Sequence, residues 1–593
     1  MKPYQIHKFR FMTTRTVHNV AQTDLNHSQT LKTSTNTSYT LPKAEPVIGL
    51  EVHCQLNTQS KLFSRAGNDS QAPPNTRVDL LDIALPGTLP KLNATAVRKA
   101  MVASLGLNCA IQNLVHFDRK NYFYSDMPSG YQLTQYNKPL ARDGFIDFIV
   151  TTYHDSVIAH SKPYDLVKYT YQDNRYSVEE FQPYVKRSHI KQIQLEQDSA
   201  KTLHESSSQS SLVDYNRAGS ALIEIVFEPD LRSADEASSL VRELIILLRL
   251  LKVCDCELQE GSLRVDANVS IRSIDGQKVD NELGKRVELK NLNSLRSLNR
   301  GIKSEIRRQT SELVGGKKVA QESRSYDTKS NKTVVLRTKE DTVDYRYMPE
   351  PSIPPLQIDK QMIDRIASHL PKEELPSNKR EYLSKKYNID LLLISELLEE
   401  PGLCDYFDEI MQADKQSVSY DPVTVADFLI YVIANLKRSS LVGAQISLDK
   451  NENNNSPSDF WRRFSPAKMQ SLFNMIFEER ISFSGAYEAI KCLSCASDVD
   501  TTPEQMVQEL DLHLMRDERE IESACDELIK GMKTTRKKYF KTGEEKYLFL
   551  MLGKLEDLHG CRMNLRKARD YLERRRLELA QVAKEQRPPP GAD

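Results

Sequence analysis

The chain has 593 residues, with 82 basic and 82 acidic side chains that cancel to a formal charge of zero. That length exceeds what one hydrophobic core supports, so two to four domains are expected. The even charge excludes nucleic-acid binding through overall charge and leaves only local patches for it. No run approaches the ~18 apolar residues that cross a bilayer, so a soluble protein with no membrane span is expected. Nine cysteines scattered along the chain point to reduced thiols rather than a disulfide framework.

In chain order, residues 1–45 come first. Up to residue 42, Lys2, Lys8, Arg10, Arg15 and Lys32 stand against a single acid, Asp24, and Ser and Thr are frequent from Thr13 to Thr40. A basic, acid-poor, Ser-rich start is the pattern of a mitochondrial transit peptide. A disordered tail without an address is the alternative.

Strand patterning begins at Val47. In VIGLEVHCQL, Ile48, Leu50, Val52, Cys54 and Leu56 alternate with Glu51, His53 and Gln55, which is the signature of a half-buried strand. The pattern recurs in Gln192, Gln194, Glu196 and Asp198, in Ala221 to Glu228, in Arg286, Glu288 and Lys290, and in Glu260 to Arg272. These polar faces mix carboxylates with Arg and Lys, a mixture that suits Mg²⁺ with phosphate. Thr151 to Arg187 and Ser206 to Ser211 read as insertions. The pairs Cys254/Cys256 and Cys492/Cys495 lack a second pair at metal-ligand spacing and read as structural thiols. Gly315, Gly316, Lys317 and Lys318 have neither the spacing nor the Ser or Thr of a Walker A loop, and read as an exposed turn.

From about Pro371 the period becomes helical, with apolar stripes at Leu391 to Leu398 and Phe428 to Leu436. Asn451 to Ser458 reads as a linker. A second helical block carries Lys533, Arg536, Lys537, Lys538, Lys541, Arg562, Arg566, Lys567, Arg569 and Arg574 to Arg576. Such a cluster is either a nucleic-acid-facing patch or a solvated helix face. Residues 578–593 read as a disordered C-terminus.

VIGLEVHCQL with SKLF after it, LPGTLPKLN, FDRKNYFYSDMPSGYQLTQY, DYNRAGSALIEIVFEPD, EGSLRVDANVSIR, VELKNLNSLR and DYRYMPEP resemble, in order from about residue 46 to 577, the B subunits of the glutamyl-tRNA(Gln) amidotransferases. With its basic leader, the chain resembles a mitochondrial, fungal-type member. The resemblance implies an α+β chain: an antiparallel-sheet cradle (46–355) holding ATP, Mg²⁺ and the acceptor end of Glu-tRNA(Gln), a helical domain (356–450) and a tail domain contacting tRNA (451–577). It implies a ligase of the mitochondrial matrix. Its amidase subunit would supply ammonia, and a small third subunit would complete the complex. Glu51, His53, Glu196 and Glu260 would be Mg²⁺ ligands, with Asp266 or Glu224 in reserve. Arg264, Arg286 and Lys290 would balance phosphate charge, and Asn216 and Arg217 would line the nucleotide cradle with Glu224 and Asp266. The family's usual H-L-E-E-D-A-G-K reads here Gln194, Leu195, Glu196, Gln197, Asp198, Ser199, Ala200, Lys201. One of two adjacent carboxylates is therefore an amide, and strand alternation favours Glu196 as the ligand. Many bacterial relatives carry cysteine pairs that resemble a structural zinc site where this chain has Ser64, Ala66, Asp79 and Asp82; without those thiolates no zinc is expected there. A non-catalytic tRNA-binding scaffold, or a ligase acting on a free amino acid, are the competing readings.

Overall fold

The computed structural model describes residues 43–151, 183–204, 210–275, 278–279, 284–338, 344–412, 420–438, 464–495 and 501–585. The expected leader up to residue 42, the linker Asn451 to Ser458 and the last eight residues lie outside them, as does most of each expected insertion. The strands are β1 (Lys43–Gln55), β2 (Ala110–Ile111), β3 (Leu114–Val115), β4 (Asp118–Asn121), β5 (Tyr131–Thr134), β6 (Ala141–Val150), β7 (Tyr184–Gln197), β8 (Lys201–His204), β9 (Ser211–Asp214), β10 (Ala221–Phe227), β11 (Leu263–Asp275), β12 (Lys278–Val279), β13 (Val287–Lys290), β14 (Glu322–Asp327), β15 (Lys332–Thr338), β16 (Met348–Pro349) and β17 (Leu356–Gln357). The stretch read as an insertion after Thr151 thus ends early, because Tyr184 already opens β7.

One large sheet dominates, in the order β15-β14-β13-β11-β1-β10-β7-β6-β2, with β12 on β11. Its characterised pairs are antiparallel apart from β13 with β14. Those two run parallel because helix α3 (Leu295–Val314) carries the chain back between them, the crossover that a parallel pair requires. Two further helices, α1 (Ala94–Gly106) and α2 (Ala234–Leu250), start at side-chain caps, Asn93 and Ser233. With α3, capped by Ser294, they bury the apolar face of the sheet.

The alternation in β1 explains which face that is. Ile48, Leu50, Val52 and Cys54 are all fully buried, each Ile, Leu or Val contributing roughly 1.5–3 kcal/mol relative to exposure. Their core continues through Ile223, Ile225, Ile193 and Leu195 and into Met101, Leu240 and Leu244 of the helices. The other face is left for polar groups.

Beyond the sheet come α4 (Lys360–Ser368), α5 (Pro376–Tyr387), α6 (Leu391–Leu398), α7 (Leu403–Gln412), α8 (Pro422–Arg438), α9 (Pro466–Phe477), α10 (Phe483–Cys495) and α11 (Pro503–Glu509). Phe407, Phe428, Phe473, Ile490 and Val507 share one buried cluster, so the apolar packing runs on past residue 450. A third cluster, including Cys525, Leu552 and Leu572, joins α12 (Glu518–Gly531), α13 (Lys533–Thr542), α14 (Glu545–His559) and α15 (Leu565–Glu585). The first two clusters are tied by a buried ion pair. Arg380 of α5 donates to Glu243 of α2 through both terminal nitrogens, one bond at 2.8 Å, and through Nε to Ser395 at 2.9 Å.

Candidate metal centre

Register decides which side chains meet on the polar face. Glu51, His53 and Gln55 of β1 stand opposite Val226, Glu224 and Leu222 of β10. Those three in turn stand opposite Gln192, Gln194 and Glu196 of β7. Directly opposed residues share a face, so His53, Glu224 and Gln194 form one row and Glu196 ends the next. His53 Nε2 lies 3.2 Å from Glu196 and 3.9 Å from Glu224, and one ligand atom from each of the three falls within 4.8 Å of the others.

The carboxylates are aimed by their neighbours. Thr134 of β5 donates to Glu196 at 3.4 Å, and the Gln194 amide donates both to Thr134 at 3.3 Å and to Glu224. Burial opposes charge on His53, but the hydrogen bond to Glu196 and the charges of both carboxylates outweigh it and raise the imidazole to about 9. Burial and the Glu196 charge push Glu224 up to about 7. Burial would also raise Glu196, yet the His53 hydrogen bond and charge, with help from Lys120 and Arg264, hold it below the usual carboxylate range. Two carboxylates forced together, one of them with its affinity for protons raised, make a favourable place for a positive charge. Hard oxygen donors suit Mg²⁺, and the imidazole is a tolerated addition.

Cations surround the cluster. Arg264 binds Asp198 at 2.9 Å, and Arg217 reaches the same carboxylate at 3.5 Å. Lys290 sits between Asp266 at 2.8 Å and Glu288 at 2.9 Å. Glu51 accepts from Asn268 at 3.1 Å, and its charge reaches Glu224.

The structure thus brings His53, Glu196 and Glu224 together, with Glu51 on the same strand as His53, Arg264 and Asp266 on β11 and Lys290 on β13 of the same sheet. Glu260 is exposed outside the cluster. The Ser262 hydroxyl accepts the Glu257 N–H at 2.7 Å, and Gly261 takes φ +80°, so a turn breaks the alternation before β11 begins. Arg286 is exposed just ahead of β13. The Asn216 side chain is spent on the backbone of a neighbouring loop, donating to Ala72 and Pro73 and accepting from Arg77. Arg217 likewise holds the carbonyls of Ser199 and Ala200. Gln197 turns to Met127, away from His53. At the positions where bacterial relatives resemble a zinc site, Asp82 pairs with the fully buried Lys61 at 2.8 Å. Lys120, Thr134 and Asp198 are the contributors that sequence reasoning left unassigned. Lys120 and Thr134 both lie in the FDRKNYFYSDMPSGYQLTQY motif.

Residues 46–364 match the family model described as GatB/GatE catalytic domain, and residues 405–575 match one described as GatB domain. The chain is 35% identical over 537 residues to the B subunit of the mitochondrial glutamyl-tRNA(Gln) amidotransferase of Aedes aegypti, covering 89% of this chain and 92% of the relative. The mitochondrial human counterpart is 36% identical over 517 residues, covering 85% and 83%. The B subunit of the aspartyl/glutamyl-tRNA(Asn/Gln) amidotransferase of Vesicomyosocius okutanii is 34% identical over 537 residues, covering 90% and 100%. Relatives this similar over so much of both chains, together with the two family models, show that the chain belongs to the family of tRNA amidotransferase B subunits.

Proposed function

We propose that this chain works in a mitochondrial amidotransferase complex that converts Glu-tRNA(Gln) to Gln-tRNA(Gln), and that it activates the glutamyl side chain at the expense of ATP. A γ-carboxylate is a poor acyl donor because its leaving group would be an oxide. Attack of the carboxylate oxygen on the terminal phosphorus of ATP forms an acyl phosphate and releases ADP. Ammonia then adds at the acyl carbon, the bond to phosphate breaks, and the amide is left on the tRNA. An amidase subunit supplies the ammonia, and a small third subunit completes the complex.

The observation that carries this reading is the convergence of His53, Glu196 and Glu224 on one polar sheet face beside Arg264 and Lys120. His53, Glu196 and Glu224, with Glu51 behind them, would hold Mg²⁺. When bound, the ion supplies positive charge to phosphate oxygens. Arg264 offers a planar fork to the transferring group and Lys120 a point charge, which is most of what phosphoryl transfer asks of a protein. Asp198 keeps the Arg264 fork in place. Residues 1–45 serve as the mitochondrial leader, 46–355 as the kinase cradle, and the helices after it carry the tRNA body.

Replacing Glu196 or Glu224 with Gln in the assembled complex keeps shape and removes charge. ADP release that depends on Glu-tRNA should fall by orders of magnitude, while hydrolysis of glutamine on the amidase chain survives. Undiminished ADP release by both variants would refute the assignment. Loss in Glu260→Gln instead would place the cation at the head of β11.

A further inference from the structure

Next to the metal cluster lies a group of aromatic rings that the chemistry above does not use. Tyr122, Phe123 and Tyr124 follow β4 directly, Tyr136 follows β5, and Tyr345 and Tyr347 precede β16, which pairs with β4. Phe123 is 81% exposed, Tyr124 60% and Tyr136 50%, far more than large rings show when they serve a core. Tyr136 stacks on Tyr347 with centroids 4.0 Å apart and planes 8° from parallel. Tyr345 touches both Tyr122 and Tyr347 edge-on.

The arrangement is built rather than loose. Asn121 donates through its side chain to the carbonyls of Tyr345 and Arg346 at 3.2 and 2.8 Å, and through its backbone to Tyr345 at 3.0 Å. Arg346 is held at φ +45°, a strained left-handed conformation for a residue with a side chain. Cations are interleaved: Lys120 lies over the Tyr345 ring at 5.0 Å, and Arg346 is exposed between the two tyrosines. The site is close at hand, because Thr134, two residues before Tyr136, touches Glu196, and the charges of Glu224 and Glu196 are felt at Tyr347.

We propose that this platform receives the unpaired 3′ end of the aminoacyl-tRNA, the exposed face of the Tyr136–Tyr347 stack taking a terminal base and the rings of Phe123 and Tyr124 its neighbours. The inference rests on the function proposed above and names the residues that seat its substrate. Exposed rings with interleaved cations are what a single strand needs, since every base has a face to stack and every phosphate a charge to meet. A lone nucleotide base would use only one or two of these rings.

The test uses the assembled complex with Tyr136→Ala, Tyr124→Ala and Tyr136→Phe, titrated with full-length tRNA(Gln) and with the same tRNA trimmed of its unpaired 3′ nucleotides. Each alanine should weaken full-length tRNA by roughly tenfold or more and leave the trimmed tRNA unchanged, and Tyr136→Phe should keep wild-type affinity. Tyr124 is exposed enough that its loss spares the fold. Equal weakening of both tRNAs, no weakening of either, or a raised KM for ATP with tRNA affinity intact each overturns the platform. Failure of the parent reading shows separately, as a wild-type complex whose ADP release does not depend on Glu-tRNA.

Discussion

Arg380→Met tests whether the sheet domain and the first helical cluster are locked by charge. Glu243 and Arg380 are 5% and 6% exposed, and the guanidinium makes two bonds to the carboxylate and one to Ser395. Removing the arginine strands a buried carboxylate, which costs about 3–5 kcal/mol. Counting the lost charge-assisted bonds at ~1.5–3 kcal/mol each gives the same order. For cooperative units of this size that is a fall of roughly 6–20 °C in melting temperature. The double variant Glu243→Met with Arg380→Met leaves no charge behind, and buried pairs replaced in this way come out near neutral or better. Scanning calorimetry of the wild type, both singles and the double closes the cycle. A double variant as unstable as Arg380→Met would refute the reasoning, because the loss would then come from packing and not from an orphaned charge.

In ion-free buffer, the raised His53 pKa of about 9 contributes stability that is complete below about pH 6.5 and lost as pH rises through 9, up to about 3 kcal/mol. The melting temperature of the metal-free chain should fall across that window, and His53→Asn should flatten the decline. An identical pH slope in the variant would rule out the imidazolium. Deleting residues 516–593 should weaken tRNA binding and flatten the plot of log affinity against log salt by about two to four units. An unchanged slope would leave the tail as a solvated face. The cut belongs after Met515 and not after Lys450, because Phe473 and Val507 are part of the second core.

The sheet was legible because a strand has a period of two and one buried face. The positions of β1 obey that rule, as do those of β7 from Gln192 to Gln197, past the register shift at Ile190. In β10 the core residues Ile223 and Ile225 obey it while Leu222 and Val226 join the polar side, and the register then follows from keeping the core residues on one face. The parallel pairing of β13 with β14 was not legible. Strand direction there depends on where α3 delivers the chain, and nothing in Val287–Lys290 or Glu322–Asp327 encodes it. The tail was half legible. Its basic residues were plain, but their partners were not: Arg562 meets Asp511, Arg566 meets Glu479, Lys567 meets Glu518 and Arg574 meets Glu522. These acids are distant in sequence or on other helices. Exposed pairs of this kind are worth about 0–1 kcal/mol, little enough for a phosphate to displace them.

At the site, the same parity argument separates what could be read from what could not. It puts Glu196 on His53's side of β7 and Gln197 on the other, so an amide at position 197 costs the cluster nothing. It also sets Glu224 across from His53, a stronger claim to the cation than its motif alone conveyed, since pairing of β1 with β10 is a long-range event. Parity fails where the backbone leaves the pleat: Gly261 at φ +80° resets the alternation before β11 starts, so the pattern of Leu263–Asp275 does not carry back to Glu260. It says nothing about loops either. Asn216 looks like a ligand in a motif, and its two amide hydrogens go to Ala72 and Pro73 while its carbonyl accepts from Arg77. One carbonyl lone pair is left to it, and no strand parity says where that acceptor is aimed.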